Sequence, residues 1–157
     1  MKSSTDADRQ PVATFLRTVG SWGAGLDQLQ PLAALAARLY VAQVFFLSGL
    51  TKLRDWETTL FLFTEEYKVP VLTPPVAAVL GTAGELALTA LLAVGLMGRL
   101  DALGLSVVNV VAVISLSEIA PAALQQHILW GALLAGVAVY GPGRWSVDHV
   151  TAGGRRY

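Results

Sequence analysis

Two long apolar runs, each with one charge set well inside it, constrain this chain more than any other feature. The first, RLYVAQVFFLSGLTK, runs from Arg38 to Lys52, and the second, GTAGELALTALLAVGLMGR, from Gly81 to Arg99. Both are long enough to cross a membrane, yet one carries Arg38 and the other Glu85. A bare charge in hydrocarbon costs roughly 2.5 to 3.5 kcal/mol on insertion scales and more in simulations, so such residues pair or face a cavity. Any functional site is expected to begin with these two.

Composition agrees with a membrane location. The 157 residues are 54% hydrophobic and 14% charged, with a mean hydropathy of +0.57, whereas soluble domains carry about a quarter charged residues. Net charge is zero, which gives no basic field for nucleic acid and no polybasic anchor for a lipid surface. The chain has no cysteine, which excludes disulfides, Cys-ligated zinc and iron–sulfur clusters. The opening MKSSTDADRQ lacks the apolar core and cleavage site of a signal peptide and reads as a tail.

From Pro11 onward, Phe15, Val19, Trp22, Leu26 and Leu29 recur at helical spacing, the stripe of an amphipathic helix lying on the membrane surface or capping the protein itself. Pro31 ends it. Four spans are expected at about Leu32 to Leu53, Val71 to Met97, Leu100 to Ile119 and Ala122 to Gly141, each near the roughly 20 residues that a bilayer core requires. Between the first two, Trp56, Leu60, Phe63 and Tyr67 share one helical face with acids opposite, an interfacial half-helix. Gly98 and Arg99 are expected to make the tight connection between spans two and three, and Pro121 separates three from four. The fold class is all-α: an integral membrane four-helix bundle with an N-terminal amphipathic helix and an interfacial half-helix between spans one and two. Residues 1–31 form the tail and surface helix, 32–141 the membrane domain, and 142–157 a C-terminal tail. Two small-residue stripes, Ala77, Gly81 and Gly84, and Ala132 with Gly136, are expected to serve packing within the bundle before any homo-oligomer.

Lys2, Arg9, Arg17, Arg99, Arg144, Arg155 and Arg156 flank one side of these spans, against Lys52, Arg54 and Lys68 on the other. The charge rule therefore puts both termini in the cytoplasm. The opposite face holds Asp55, Glu57, Glu65, Glu66 and Glu118 and is mildly acidic.

Counting a rise of 1.5 Å per residue, Arg38 lies about 9 Å from the inner edge, Glu85 about 18 Å and Asn109 about 14 Å, with Gln43 at a depth similar to Asn109. Arg38, Gln43, Glu85 and Asn109 are thus expected to form one buried polar cluster, with Arg38 paired to Glu85. Lys52, Glu118, Gln125 and His127 lie near the outer ends of their spans and form a second, outer cluster. Each residue also has a plainer role. Arg38 reaches the interface by snorkelling, Asn109 bonds helix to helix, Lys52 marks the interface, and His127 caps its helix or meets headgroups.

Arg38, FFLSGLTKL at Phe45 to Leu53, GELALTALLAVGL at Gly84 to Leu96 with Arg99, and then HILWG and GPGRWSVD together resemble the DoxX family of small four-helix membrane proteins. The resemblance covers about Leu32 to Asp148, and its specific parts are the SGLTK ending of the first helix and the Gly-Glu-Leu of the second. The stretch VFFLSGLTKLRDWETTLFLFTEEYKVP looks like a bacterial subgroup whose genes accompany those for copper-related modified peptides. Relatives include membrane subunits of an archaeal thiosulfate:quinone oxidoreductase and a membrane partner in a mycobacterial oxidative-stress complex. The resemblance therefore implies a quinone-linked role in the bacterial cytoplasmic membrane, with the bilayer and other subunits as partners.

The residues narrow the redox chemistry further. His127 and His149 lie about 33 Å apart if one helix continues through both, so they cannot share a haem iron. With no cysteine and no dinucleotide glycine fingerprint, no covalently held cofactor and no metal site is implied. A diffusible quinone, which needs one or two donors in an apolar slot, remains; Arg38, Asn109 and His127 are the candidate donors. The expected function is a membrane subunit or anchor of a redox or stress-response complex that interacts with quinone, enzymatic only as part of a quinone-linked oxidoreductase. The alternatives are a small transporter or copper-handling component using Glu85 and His127, and a purely structural assembly partner.

Overall fold

Prolines open the three longest helices, and glycines with positive φ close two of them. In a computed structural model describing residues 27–153, helix α1 spans Gln30–Arg54 with Pro31 in its first turn. Helix α3 spans Pro74–Val94 and opens on its two prolines, and α5 spans Pro121–Tyr140 and opens on one. The first turn has no internal partner for its N–H groups, so proline loses nothing there. Helix α3 stops at Gly95, whose φ is 72°, and Met97 at φ 56° redirects the chain into α4, Gly98–Ile114. The tight connection is therefore Gly95–Met97, and Gly98 and Arg99, expected to form it, already belong to the helix.

Helix α2, Trp56–Glu65, is the half-helix expected from its stripe, and the Asp55 carboxylate caps it by accepting from Thr58 N at 3.0 Å. Phe63 packs with Ala77 and Ala78 of α3, and Trp56, Leu60, Tyr67 and Val69 close around them. Glu57, Glu65 and Glu66 are exposed. Spans two and three are shorter than expected. Helix α4 ends at Ile114, and the connection after it is tied down by Lys68 N, which donates to Ser115 O at 2.7 Å.

Helices α1, α3, α4 and α5 form a four-helix bundle in which α1 lies on α3, α3 on α4 and α4 on α5; the α1–α5 seam is the loosest of these. Its core is Val41, Phe45, Leu92, Ala102, Leu105, Leu134 and Val137. Leu39, Leu47, Leu80, Leu103, Val107, Ile128 and Val139 point outward, which suits hydrocarbon as the surrounding solvent. Helices α1, α3 and α5 are long and apolar enough to cross a membrane, and the 17 residues of α4 span about 25 Å beside them. A Cβ at Gly49 would lie 2.8 Å from Leu86 Cγ, so this glycine lets α1 approach α3 closely.

One small-residue stripe packs inside the bundle as expected, with Val108 and Phe63 nearest to Gly84 and Gly81; the other does not, since nothing among the described residues lies within 4 Å of a Cβ at Gly136. The segment beyond Gly141, expected as a tail, instead folds back over the end of the bundle through the short helix α6, Val147–Thr151. The expected surface helix ending at Leu29 lies, apart from its last three residues, outside the described residues.

Candidate functional site

At the end of the bundle where α1 begins and α5 finishes, Arg38 is 2% exposed. Its Nη1 donates to Pro142 O at 2.6 Å and its Nη2 to Trp145 O at 2.7 Å. The rigid fork of a guanidinium suits two fixed carbonyls where a lysine would reach one. Gly95 makes room for it: a Cβ there would sit 2.6 Å from Arg38 Nη1 and 2.5 Å from Ser146 Cβ. Asp148, in α6, accepts from Met97 N at 2.8 Å and Gly98 N at 2.9 Å. Those N–H groups open α4 and have no partner within the helix, and a carboxylate there also complements the helix dipole. Arg38 and Asp148 together fasten the C-terminal segment across three helix ends.

At the other end, Lys52 turns inward. Its Nζ lies 2.8 and 2.7 Å from the two Glu85 oxygens and 2.8 Å from Ser48 Oγ, which itself donates to Glu85 Oε1 at 3.3 Å. All three ammonium donors are thereby used. Ser48 and Lys52 are four residues apart, one above the other on the same helix face, and Gly49 between them brings Glu85 within reach. Tyr67, in the connection after α2, lies near this triad. Burial, then the Glu66 and Glu85 carboxylates, hold its phenol above the usual range.

A third polar contact joins α4 to α5. Asn109 Nδ2 donates to His127 O at 2.9 Å, and Asn109 Oδ1 lies 2.7 Å from His127 Nδ1. The His127 ring meets Trp130 edge-on at 4.9 Å, and Trp130 meets Phe45 of α1 at 5.8 Å. The indole Nε1 is buried and has no hydrogen-bond partner among the described residues.

The expected clusters are therefore regrouped. Arg38 does not meet Glu85, because the backbone of the returning C-terminal segment takes both of its terminal nitrogens. Glu85 takes Lys52 from the expected outer cluster, and Asn109 takes His127. Gln43, Glu118 and Gln125 are exposed and join neither group. Sequence reasoning passed over Ser48, Trp130 and Asp148. The first two stand four and three residues from singled-out neighbours, and the third ends GPGRWSVD. Among the described residues, no three His, Asp or Glu side chains gather as a metal site.

Along the α1–α5 seam runs a groove of about 990 Å³. Its floor is Ala33, Ala34 and Ala37 facing Ala132 and Gly136, and Gln30, Arg144 and His149 stand at its polar rim. The second small-residue stripe thus lines open space.

Apolar helices long enough to cross a membrane, with the Lys52–Glu85 ion pair held between two of them, define a multi-pass membrane protein of the helical-bundle class. The DoxX family model matches residues 33–118, more than half of the chain, and the chain belongs to that family. The match contains both the SGLTK stretch and Glu85, the residues of the buried ion pair. No curated protein and no solved structure matches the chain.

Proposed function

We propose that this protein is a membrane subunit or anchor of a redox or stress-response complex, and that it holds a diffusible quinone along the α1–α5 seam. The groove carries the proposal. Its volume of about 990 Å³ stands at the upper end of the roughly 300 to 1,000 Å³ usual for small-molecule sites. A floor of alanine and glycine suits a prenyl chain, which needs width and no polar partner. Of the three donors expected from the sequence, Arg38 is spent on backbone carbonyls and Asn109 on His127. His127 remains; it and Trp130 lie on α5 outside the groove's lining, Trp130 one helical turn from Leu133. The quinone-linked role implied by the family resemblance points the same way. On the charge count, both ends lie on the cytoplasmic side of a bacterial inner membrane, and a reporter fused after Tyr157 is expected to be active only there.

The test is titration of the purified protein in lipid nanodiscs with a decyl-benzoquinone, followed by tryptophan quenching. Saturable quenching is expected, and Ala37→Leu with Gly136→Leu, which fill the groove, should weaken it about ten-fold or more without lowering the melting temperature. Linear quenching, equal in both proteins, would mean simple partitioning into lipid and would end the proposal.

A further inference from the structure

The two contacts between Asn109 and His127 fix where the imidazole proton sits. A backbone carbonyl only accepts, so the Asn109 atom 2.9 Å from His127 O must be the amide nitrogen. The amide oxygen then faces His127 Nδ1 at 2.7 Å, and it too only accepts. Nδ1 must carry the proton. A neutral imidazole has one proton, so Nε2 presents a lone pair, and it has no partner among the described residues.

Beside that lone pair stands the opposite deficiency. Trp130 Nε1 is a buried donor with no acceptor among the described residues, on a ring 4.9 Å from the imidazole and inclined at 74° to it. Leaving such a donor unmet costs about 1 to 3 kcal/mol. Phe45 also meets the indole edge-on, at 5.8 Å, and Leu133 of the groove lies one helical turn further along α5. An unmet acceptor and an unmet donor thus stand on adjoining aromatic rings, on the part of α5 that precedes the residues lining the groove.

We infer that His127 Nε2 and Trp130 Nε1 form a headgroup site that selects the hydroquinone over the quinone. This rests on the quinone reading above and deepens it. A hydroquinone hydroxyl donates to Nε2, and a headgroup oxygen accepts from the indole N–H. The oxidised form has only carbonyl oxygens and would set one of them against the imidazole lone pair. Asn109 is the positioning residue, since it holds the proton on Nδ1.

Two measurements test this. In ligand-free protein, nitrogen-15 NMR of the His127 ring should show the Nδ1–H tautomer, and Asn109→Leu should shift the balance toward Nε2–H. A purely structural role for Asn109 would not require that shift. Under anaerobic conditions, a decyl-benzoquinol should bind about ten-fold more tightly than the decyl-benzoquinone. His127→Phe should level the two affinities, and Trp130→Phe should weaken both, read by competition with a labelled quinone so that loss of the indole does not remove the signal. An Nε2–H tautomer in the parent protein overturns the inference. So does equal binding of the two forms that His127→Phe leaves unchanged, although that result leaves the quinone reading standing. Failure of both forms to bind overturns both.

Discussion

The two ends of the bundle neutralise their buried charges differently. At the end that carries the C-terminal segment, Arg38 meets backbone carbonyls and Asp148 meets backbone N–H groups. At the α2 end, Lys52 and Glu85 meet each other and Ser48. The first arrangement fastens a returning segment to helix ends; the second fastens one helix to another. They also respond differently to losing a partner. Lys52 lies two residues from the end of α1 and can turn outward to the interface, as long cationic side chains do. Glu85, 6% exposed and in the middle of α3, cannot.

The largest effect should come from that asymmetry. Lys52→Met strands the Glu85 carboxylate and is expected to cost about 3 to 5 kcal/mol, the usual range for breaking a buried pair from one side. Glu85→Gln should cost clearly less, because Lys52 is then free to snorkel. Lys52→Met combined with Glu85→Leu should recover most of the loss. Denaturant unfolding in detergent measures all three, and equal losses from the two single variants would show that Lys52 has no outward alternative.

Next in size is the clamp at the other end. Arg38→Met removes two charge-assisted bonds to carbonyls and should cost about 2 to 4 kcal/mol. The loss should be local: hydrogen exchange at the amides of Met97, Gly98 and Asp148 should accelerate while α2 stays protected. Arg38→Lys should rescue only part, since one ammonium cannot match the fork. Acceleration spread evenly over the bundle would mean that Arg38 supports the core and does not merely hold the segment.

The four helices and the half-helix were legible in the sequence because hydropathy, proline placement and a 3.6-residue stripe are local signals. Arg38, Glu85, Lys52, Asn109 and His127 were legible too, since charge and amide groups within apolar runs stand out. Their partners were not. Depth counted along each helix allowed Arg38 to reach Glu85, but depth says nothing about which way a face is turned. Gly49 decides that for Glu85 by letting α3 come close beside Ser48 and Lys52. The partners of Arg38 are main-chain carbonyls more than a hundred residues away, and every residue has a carbonyl, so no residue type announces them. The groove was equally hidden. Small residues at helical spacing look alike whether they pack against a neighbour, as Gly84 does, or line open space, as Gly136 does.

The smallest effect contrasts the caps at the two ends. Helix α2 is capped by Asp55, which accepts from Thr58 N at 3.0 Å and from Thr58 Oγ1 at 2.7 Å. Helix α6, at the opposite end, is capped by the uncharged Ser146, which accepts from His149 N at 3.2 Å. The bond from Thr58 N, then that from its hydroxyl, hold the Asp55 carboxyl below the usual carboxylate range, against a smaller opposing effect of burial. A carboxyl whose folded value is depressed stabilises the fold fully above its unfolded value of about 3.9, and that contribution fades as pH falls through the folded value. Protection of the Thr58 and Thr59 amides should therefore weaken as pH falls below about 4, while that of His149 N loses nothing by titration of its own cap. Asp55→Asn keeps an acceptor without the charge and should flatten the α2 profile; Asp55→Ala should lower protection at every pH. Were both caps to loosen in step in the Asp55→Asn protein as well, the acid response would belong to the bundle as a whole and not to this carboxylate.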